Sequence, residues 1–312
     1  MPNIFNKILI ISGPTATGKT SLACILAKKF NGELISADSR QIYRGLDIGT
    51  GKDHHKDTVI HLIDIIKPNE SYSVAQYRRL ALEKIKDIHS RGKLPIVVGG
   101  TGLYIDSIVN YKETFSIKPN NFLRFFLNIF PLKLLQLTLR LSDFKTFRLL
   151  NNSDCSNPHR LIRKIEIRLL RRFSPRNDVI GVSPPFSREG TGVGFDFLHL
   201  SLTAPNSFIF EKIIKRVGDR LKNGLLEEIE TLLKKYKWTD PGLNTLAYKE
   251  FAPLKSGKNL AQCITQWQSD ERKYVRRQKT WFKKQPNIYF IDITQTSQKQ
   301  IINIASKWYN KS

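Results

Sequence analysis

Residues Lys7 to Phe30 read KILIISGPTATGKTSLACILAKKF, and this stretch decides the fold. KILIIS is a short β-branched run of strand length, while SLACILAKKF, Ser21 to Phe30, carries apolar residues at helical spacing and stops at Asn31-Gly32. Between them GPTATGKT fits GxxxxGK[ST] in the strand–loop–helix setting that gives the pattern its chemistry. Backbone N–H groups and a helix N-terminus then surround phosphate oxygens, which makes Gly13, Pro14, Thr15, Ala16, Thr17, Gly18, Lys19 and Thr20 the expected diphosphate- or nucleotide-binding residues. Lys19 supplies a point charge, and the Thr20 hydroxyl is the expected ligand of a Mg²⁺ ion.

Working outward, GELISADS reads as a second strand ending at Asp38, LPIVVGG as a third over Ile96 to Val98, and FDFLHLSL as a last one over Phe195 to Leu202. Helical spacing runs from Ser73 to Gly92. This alternation predicts an α/β fold, a P-loop NTPase-like parallel sheet with helices on both faces, plus a mainly helical insert. Ligands of such sheets bind at the carboxyl ends of the strands, where the loops at Gly13, Asp38 and Gly99 all fall. The expected domains are a catalytic core, 1–115 and 195–312, with basic C-terminal helices, and an insert, 116–194. Arg176 to Gly194, rich in Gly, Pro and Ser, reads as a linker or loop.

The bulk composition narrows the partners. With 51 Lys+Arg against 27 Asp+Glu the formal net charge is +24, which favours a polyanionic partner whose phosphates release counterions on binding; basic drift of the surface is the alternative. Cys24, Cys155 and Cys263 are far apart and show no metal-ligand or disulfide spacing, so a reducing, cytoplasmic setting is expected. The apolar segment Phe122 to Leu141 has the length of a membrane span, but Arg124, Pro131, Lys133 and Arg140 interrupt it. Two amphipathic helices and no membrane partner are expected there.

A P-loop enzyme also needs a carboxylate for its metal or its chemistry. Asp64, in VIHLIDI, and Asp38, at the tip of the strand after the P-loop helix, are the two candidates. Taken alone, Asp64 reads as an ordinary strand-end aspartate, and Asp38, the better placed, as a helix cap or structural hydrogen-bonder. HRLIRKIEIRLLRRF places Arg160, Arg163, Arg168, Arg171 and Arg172 on a helix opposite Leu161, Ile162, Ile165 and Leu169, either a nucleic-acid contact or a solvated charged face. RKYVRRQKTWFKK, Arg272 to Lys284, interleaves cations with Tyr274, Trp281 and Phe282, which suits phosphate neutralisation with base stacking.

GPTATGKT, DSRQIYRGLDIGTGK, HLIDI, GGTGLYI, NPHRLIRKIE and RRQKTWF occur in the order and approximate spacing found in the tRNA isopentenyltransferase family, and the chain resembles that family from about Ile8 to Phe282. The resemblance implies alkyl transfer rather than phosphoryl transfer: the P-loop holds the diphosphate of dimethylallyl diphosphate, and pyrophosphate leaves. The acceptor it implies is the exocyclic N6 amine of the adenosine immediately 3′ of the anticodon, in tRNAs reading codons that start with U. Asp38 takes the place of the general base, Thr101 lies near the reacting amine, and Arg124 matches a family arginine that clamps the leaving group. Read without the family, Thr101 is a helix cap and Arg124 an ordinary snorkelling arginine.

The tRNA contacts that the resemblance implies are Asp38, Ser39, Arg40 and Gln41 beside the base, His159, Arg160 and Arg163 in the insert, and Arg276, Arg277 and Gln278. The partners so implied are the tRNA anticodon stem-loop and dimethylallyl diphosphate, with Mg²⁺ as cofactor, and a monomer is expected. The chain departs from the family at Gly51, usually alanine, and at Asn244 and Ala247, where arginine and glycine are common; of the usual His-His pair only His61 remains. Two other activities stay open on the sequence alone: prenylation of free adenylate, which needs no basic surface, and ATP-dependent phosphoryl chemistry at the same loop.

Overall fold

The computed structural model describes residues 6–52, 58–110, 120–173 and 195–311; Arg176 to Gly194 and the pair His54-His55 lie outside them. In chain order the elements are β1 (Lys7–Ser12), α1 (Lys19–Phe30), β2 (Gly32–Ser36), β3 (Ile60–His61), α2 (Val74–Ser90), β4 (Leu94–Val98) and α3 (Gly102–Val109). Five helices follow: α4 (Asn121–Ile129), α5 (Leu132–Ser142), α6 (Phe144–Arg148), α7 (Asn152–Cys155) and α8 (Pro158–Phe173). The chain returns with β5 (Asp196–Thr203), α9 (Asn206–Lys222), α10 (Leu225–Leu233), a 3₁₀ segment (Lys249–Ser256), α11 (Leu260–Lys283), β6 (Tyr289–Asp292) and α12 (Gln298–Tyr309).

Two compact units result, Met1–Asn110 with Val193–Ser312, and Tyr111–Gly192. In the first, six strands form one sheet in the order β3-β2-β4-β1-β5-β6, and every pairing is parallel. A parallel sheet is buried on both faces, which is why its strands are unbroken apolar runs. Leu9, Ile11, Leu34, Ile96, Val98, Leu200 and Leu202 join one core cluster with Leu22, Leu26 and Phe30 of α1 and Ile301 of α12. The intervening Ile8, Ile10, Ile35 and Val97 are equally buried, and α2 packs against β2 and β4. The sheet is therefore covered by helices on both faces.

The sequence signals for starts and stops hold. Asn31 ends α1 in the left-handed region, φ 49°, where asparagine is one of few tolerated residues. Ser73 begins α2 with a capping box to Gln76. β3 keeps only two residues of the apolar run VIHLIDI, and β6, which has no sequence signal, exposes Tyr289 and Phe290. Each is added at an edge, where its partner strand supplies the order.

The second unit is helical throughout its described residues. Pro131 separates α4 from α5, as its missing N–H dictates. Leu127, Leu135 and Leu139 of these helices pack on Leu161, Ile162 and Ile165 of α8, the face opposite the arginines. Phe122, Phe125, Phe126 and Ile129 stay exposed, so α4 is amphipathic with a half-covered apolar side. Among the described residues, no helix is long and apolar enough to cross a membrane.

Candidate active site

The carboxyl ends of β1, β2 and β4 open on a cavity of about 730 Å³, within the range of small-molecule sites. Thr15, Ala16, Gly18, Lys19, Thr20 and Ser21 line one side, Ser36, Asp38, Gln41, Thr50 and Gly51 another, and Arg216 and Arg220 of α9 a third.

The glycine loop is shaped by its neighbours. At Gly13, φ +133°, a Cβ would lie 2.3 Å from the Leu202 carbonyl oxygen of β5, so only glycine lets the chain leave the sheet there. The Thr17 hydroxyl donates to the Pro14 carbonyl at 2.8 Å, and the Lys19 ammonium donates to the same oxygen at 2.7 Å. Burial lowers the Lys19 pKa to about 8; Asp38 opposes the shift, while Arg216 and Arg40 add to it. The cation is thus costly here without an anion beside it, which suits a phosphate site.

Asp38 sits in the same cavity on the loop after β2. Its Oδ1 accepts the Arg40 N–H at 2.9 Å, leaving the other oxygen for a proton donor. Thr101 occupies the N-cap position of α3 but makes no capping bond. Its hydroxyl instead accepts the Ser39 N–H at 3.0 Å and donates to the Ser39 hydroxyl at 3.2 Å. The third and fourth residues of DSRQ turn inward: Gln41 donates to the Gly51 carbonyl at 3.1 Å, and the Arg40 guanidinium stacks 4.6 Å from the Tyr274 ring centroid.

Several residues that shape the site lie outside the motifs. The Glu228 carboxylate accepts the N–H groups of Asp47, Ile48 and Gly49 at 2.9, 2.8 and 3.2 Å, and the Tyr248 hydroxyl at 2.6 Å. Arg220 donates to the Gly49 carbonyl at 2.7 Å, and burial together with Arg216 pushes its pKa down. A Cβ on Gly51, φ +65°, would lie 2.1 Å from that guanidinium, so glycine at this position leaves the space that Arg220 occupies. Arg216 donates to the Thr15 hydroxyl at 2.6 Å and thereby adds a cation to the glycine loop. Sequence alone offers no signal for Arg216, Arg220 or Glu228, because charged positions on an amphipathic helix look alike until the fold brings them to a loop.

Three of the residues singled out in the sequence are engaged within their own unit. Gln278 is buried, with Oε1 accepting the Thr15 N–H at 3.0 Å and Nε2 donating to the Gly100 carbonyl at 2.9 Å, so its amide joins two loops. Arg124 forks onto Glu166 of its own unit, Nε at 3.0 Å and Nη2 at 2.9 Å, which ties two of its donors to a fully buried carboxylate. Asp64 accepts from the Lys52 ammonium at 2.5 Å, tying LIDI to DIGTGK, which leaves Asp38 as the candidate carboxylate.

The remaining tRNA candidates lie on surfaces. Arg276 and Arg277 are exposed on α11, over the rings of Phe210 and Tyr274 at 5.6 and 5.7 Å. In the helical unit His159 and Arg160 are exposed, Arg160 beside Asp154 at 2.7 Å, while Arg163 pairs with Glu166 at 2.6 Å. Arg168 donates to the Ser142 carbonyl, and the side chains of Arg171 and Arg172 lie outside the described residues.

For a Mg²⁺ ion the donor chemistry fits in part. The Thr20 hydroxyl and Asp38 line one cavity, a hard-oxygen set that a bound diphosphate would complete. No cluster of three or more His, Cys, Asp or Glu side chains able to hold a metal exists among the described residues.

The family model described as IPP transferase matches residues 41–285, and that described as isopentenyl transferase matches residues 6–61. A tRNA dimethylallyltransferase of Caldanaerobacter subterraneus is 36% identical over 310 residues, with 96% of each chain covered. One of Roseiflexus is 34% identical, covering 96% of this chain and 98% of the relative. Among solved structures, the tRNA isopentenylpyrophosphate transferase of Bacillus halodurans superposes with a TM-score of 0.69 at 31% identity and covers 97% of both chains. A eukaryotic dimethylallyltransferase captured acting on tRNA gives a TM-score of 0.80 at 26% identity, covering 97% of this chain and 79% of that one.

Proposed function

The chain belongs to the IPP transferase family and has the activity of a tRNA dimethylallyltransferase, and from that premise we propose that the glycine loop holds the diphosphate of dimethylallyl diphosphate as a leaving group, with Asp38 as the base that frees the acceptor amine. The observation that carries this reading is one cavity lined by Lys19, Thr20, Arg216 and Asp38 together. A phosphate cradle and an accepting carboxylate then face the same space, which alkyl transfer needs.

In this reading the adenosine N6 nitrogen attacks the allylic carbon, the carbon–oxygen bond to the diphosphate breaks, and its electron pair leaves on pyrophosphate. The proton from nitrogen passes to the free oxygen of Asp38. Charge builds on the leaving group, where backbone N–H groups, Lys19 and Arg216 stabilise it before it forms. The clamp passes from Arg124 to Arg216, whose contact with Thr15 puts it on the loop itself. Thr20 and the diphosphate would hold a Mg²⁺ ion, which would supply further neutralisation of that charge. Thr101 and Ser39 hold the loop that bears Asp38 at a fixed height over the cavity.

The acceptor in this reading is the adenosine 3′ to the anticodon of tRNAs that read codons starting with U. A base stacked in a loop must be extruded to reach Asp38. Exposed Arg276 and Arg277 serve the phosphates on the core, and His159 and Arg160 serve them on the helical unit, consistent with a net charge of +24.

The test mixes purified chain, Mg²⁺ and labelled dimethylallyl diphosphate with unmodified tRNA of this class, with tRNA lacking that adenosine, and with AMP. Label in the first alone is expected. Label in AMP but not tRNA would replace this reading with adenylate prenylation, and phosphate release from ATP without prenyl transfer would replace it with phosphoryl chemistry.

A further inference from the structure

One buried anion beside the cavity has no part in the transfer as described. Glu271 of α11 is fully buried, immediately before the basic run that begins at Arg272. Its Oε2 lies 3.3 Å from Arg216 Nη2, and its Oε1 faces Arg40 Nη1 at 3.5 Å without a hydrogen bond. An anion in that position is costly unless its partners keep it charged. Burial alone would raise its pKa, but Arg40, Arg216 and Arg220 hold it below the usual range.

The two arginines it holds belong to opposite halves of the reaction. Arg216 donates to Thr15 in the diphosphate cradle, while the Arg40 N–H donates to Asp38 and its Nε lies 3.9 Å from the same carboxylate oxygen. Glu271 and Asp38 therefore share one guanidinium, and Glu271 and the leaving group share another.

Resting on the function argued above, we propose that Glu271 is a positioning residue for the transfer, which fixes Arg216 at the diphosphate and draws Arg40 off Asp38, so that filling the cradle prepares the base. When a diphosphate takes Arg216, the Glu271 carboxylate turns its charge wholly on Arg40. Asp38 is then left as the open acceptor for the proton from nitrogen. Without the carboxylate, Arg216 loses this one partner and leans on the diphosphate, and Arg40 settles on Asp38. Binding of the leaving group should hold or improve while transfer slows.

The experiment compares the unaltered chain with Glu271→Gln and Glu271→Asp. It measures kcat and KM for dimethylallyl diphosphate with saturating tRNA, pyrophosphate binding in Mg²⁺ buffer, and the thermal midpoint of each protein. For Glu271→Gln, kcat is expected to fall about tenfold with pyrophosphate bound as tightly as before or more so. Glu271→Asp, which keeps the charge, should recover part of kcat.

A kcat within twofold of the unaltered chain in Glu271→Gln overturns the proposal. So do parallel losses of kcat and pyrophosphate affinity that track the folded fraction and do not recover in Glu271→Asp. If Glu271→Gln fails to fold, Glu271→Asp decides: a lowered kcat with pyrophosphate affinity kept supports the role, and an unchanged kcat refutes it. Absence of transfer by the unaltered chain would refute the general reading instead.

Discussion

Replacing Gln278 with methionine separates a loop clamp from an RNA contact. Methionine keeps the length and approximate volume of the side chain while removing its amide. Two hydrogen bonds of 3.0 and 2.9 Å go with it, leaving the Thr15 N–H and the Gly100 carbonyl without their partner. Gly100 is buried, while Thr15 borders the cavity and can turn to water. At about 1–3 kcal/mol for each orphaned group, with Thr15 at the low end, the cost is about 2–4 kcal/mol. In a urea melt with a slope of about 3 kcal/mol/M the midpoint falls by roughly 1 M with the slope unchanged. The glycine loop also loses one of its fixed points, so dimethylallyl diphosphate should bind about tenfold less tightly, equivalent to about 1.4 kcal/mol. Affinity for tRNA, measured without diphosphate, should stay within twofold. The reverse pattern, an unchanged midpoint with weakened tRNA binding, would show that the amide faces RNA and that the clamp has no energetic weight.

Asp38→Ala should leave the binding of tRNA and of diphosphate intact and slow single-turnover transfer by about 10²-fold or more; full activity would remove Asp38 from the role. Because the Lys19 pKa is lowered to about 8, the cation is present below that pH and is lost above it, so the Kd for dimethylallyl diphosphate without tRNA should rise about fivefold from pH 8 to 9. A flat titration would mean that Lys19 keeps its charge throughout. Gly51→Ala places a methyl in the left-handed region against Arg220 and should cost about 2–4 kcal/mol in a denaturant melt, less when Arg220→Ala is already present; strict additivity would refute the steric account. Arg276→Gln with Arg277→Gln should reduce the slope of log tRNA affinity against log salt by about 2 and leave the KM for the diphosphate unchanged.

The four inner strands and the glycine loop were legible in the sequence because each is local. A β-branched run, a GxxxxGK[ST] loop and an apolar helical face need no distant partner to declare themselves. The short extent of β3 and the whole of β6 were not legible, since an edge strand of two or four residues acquires its conformation from the neighbour it pairs with. The cradle's residues could be named, but not its supports. Arg216 reaches Thr15 from 201 positions away in the chain, and Glu228 reaches Gly49 from 179. In both cases the signal is a charge on a helix, which solvent explains equally well until the fold closes. Gln278 is a polar residue inside a basic run whose neighbours Arg276 and Arg277 are exposed while its own face is buried, a difference the run does not announce.

Helix α11 works as a measuring rod. Glu271, Tyr274, Gln278 and Trp281 recur at intervals of three and four and so stand in a row spanning about 15 Å at 1.5 Å per residue. Trp281 closes against Gly102, where a Cβ would meet its ring at 2.1 Å. A single insertion within the row would rotate everything beyond it by about 100° and detach the loops on one side of the break from those on the other. Over evolutionary time the length of this helix between Glu271 and Trp281 should therefore be far less free to vary than the residues on its outer face, and gaps in related chains should fall before or after the row.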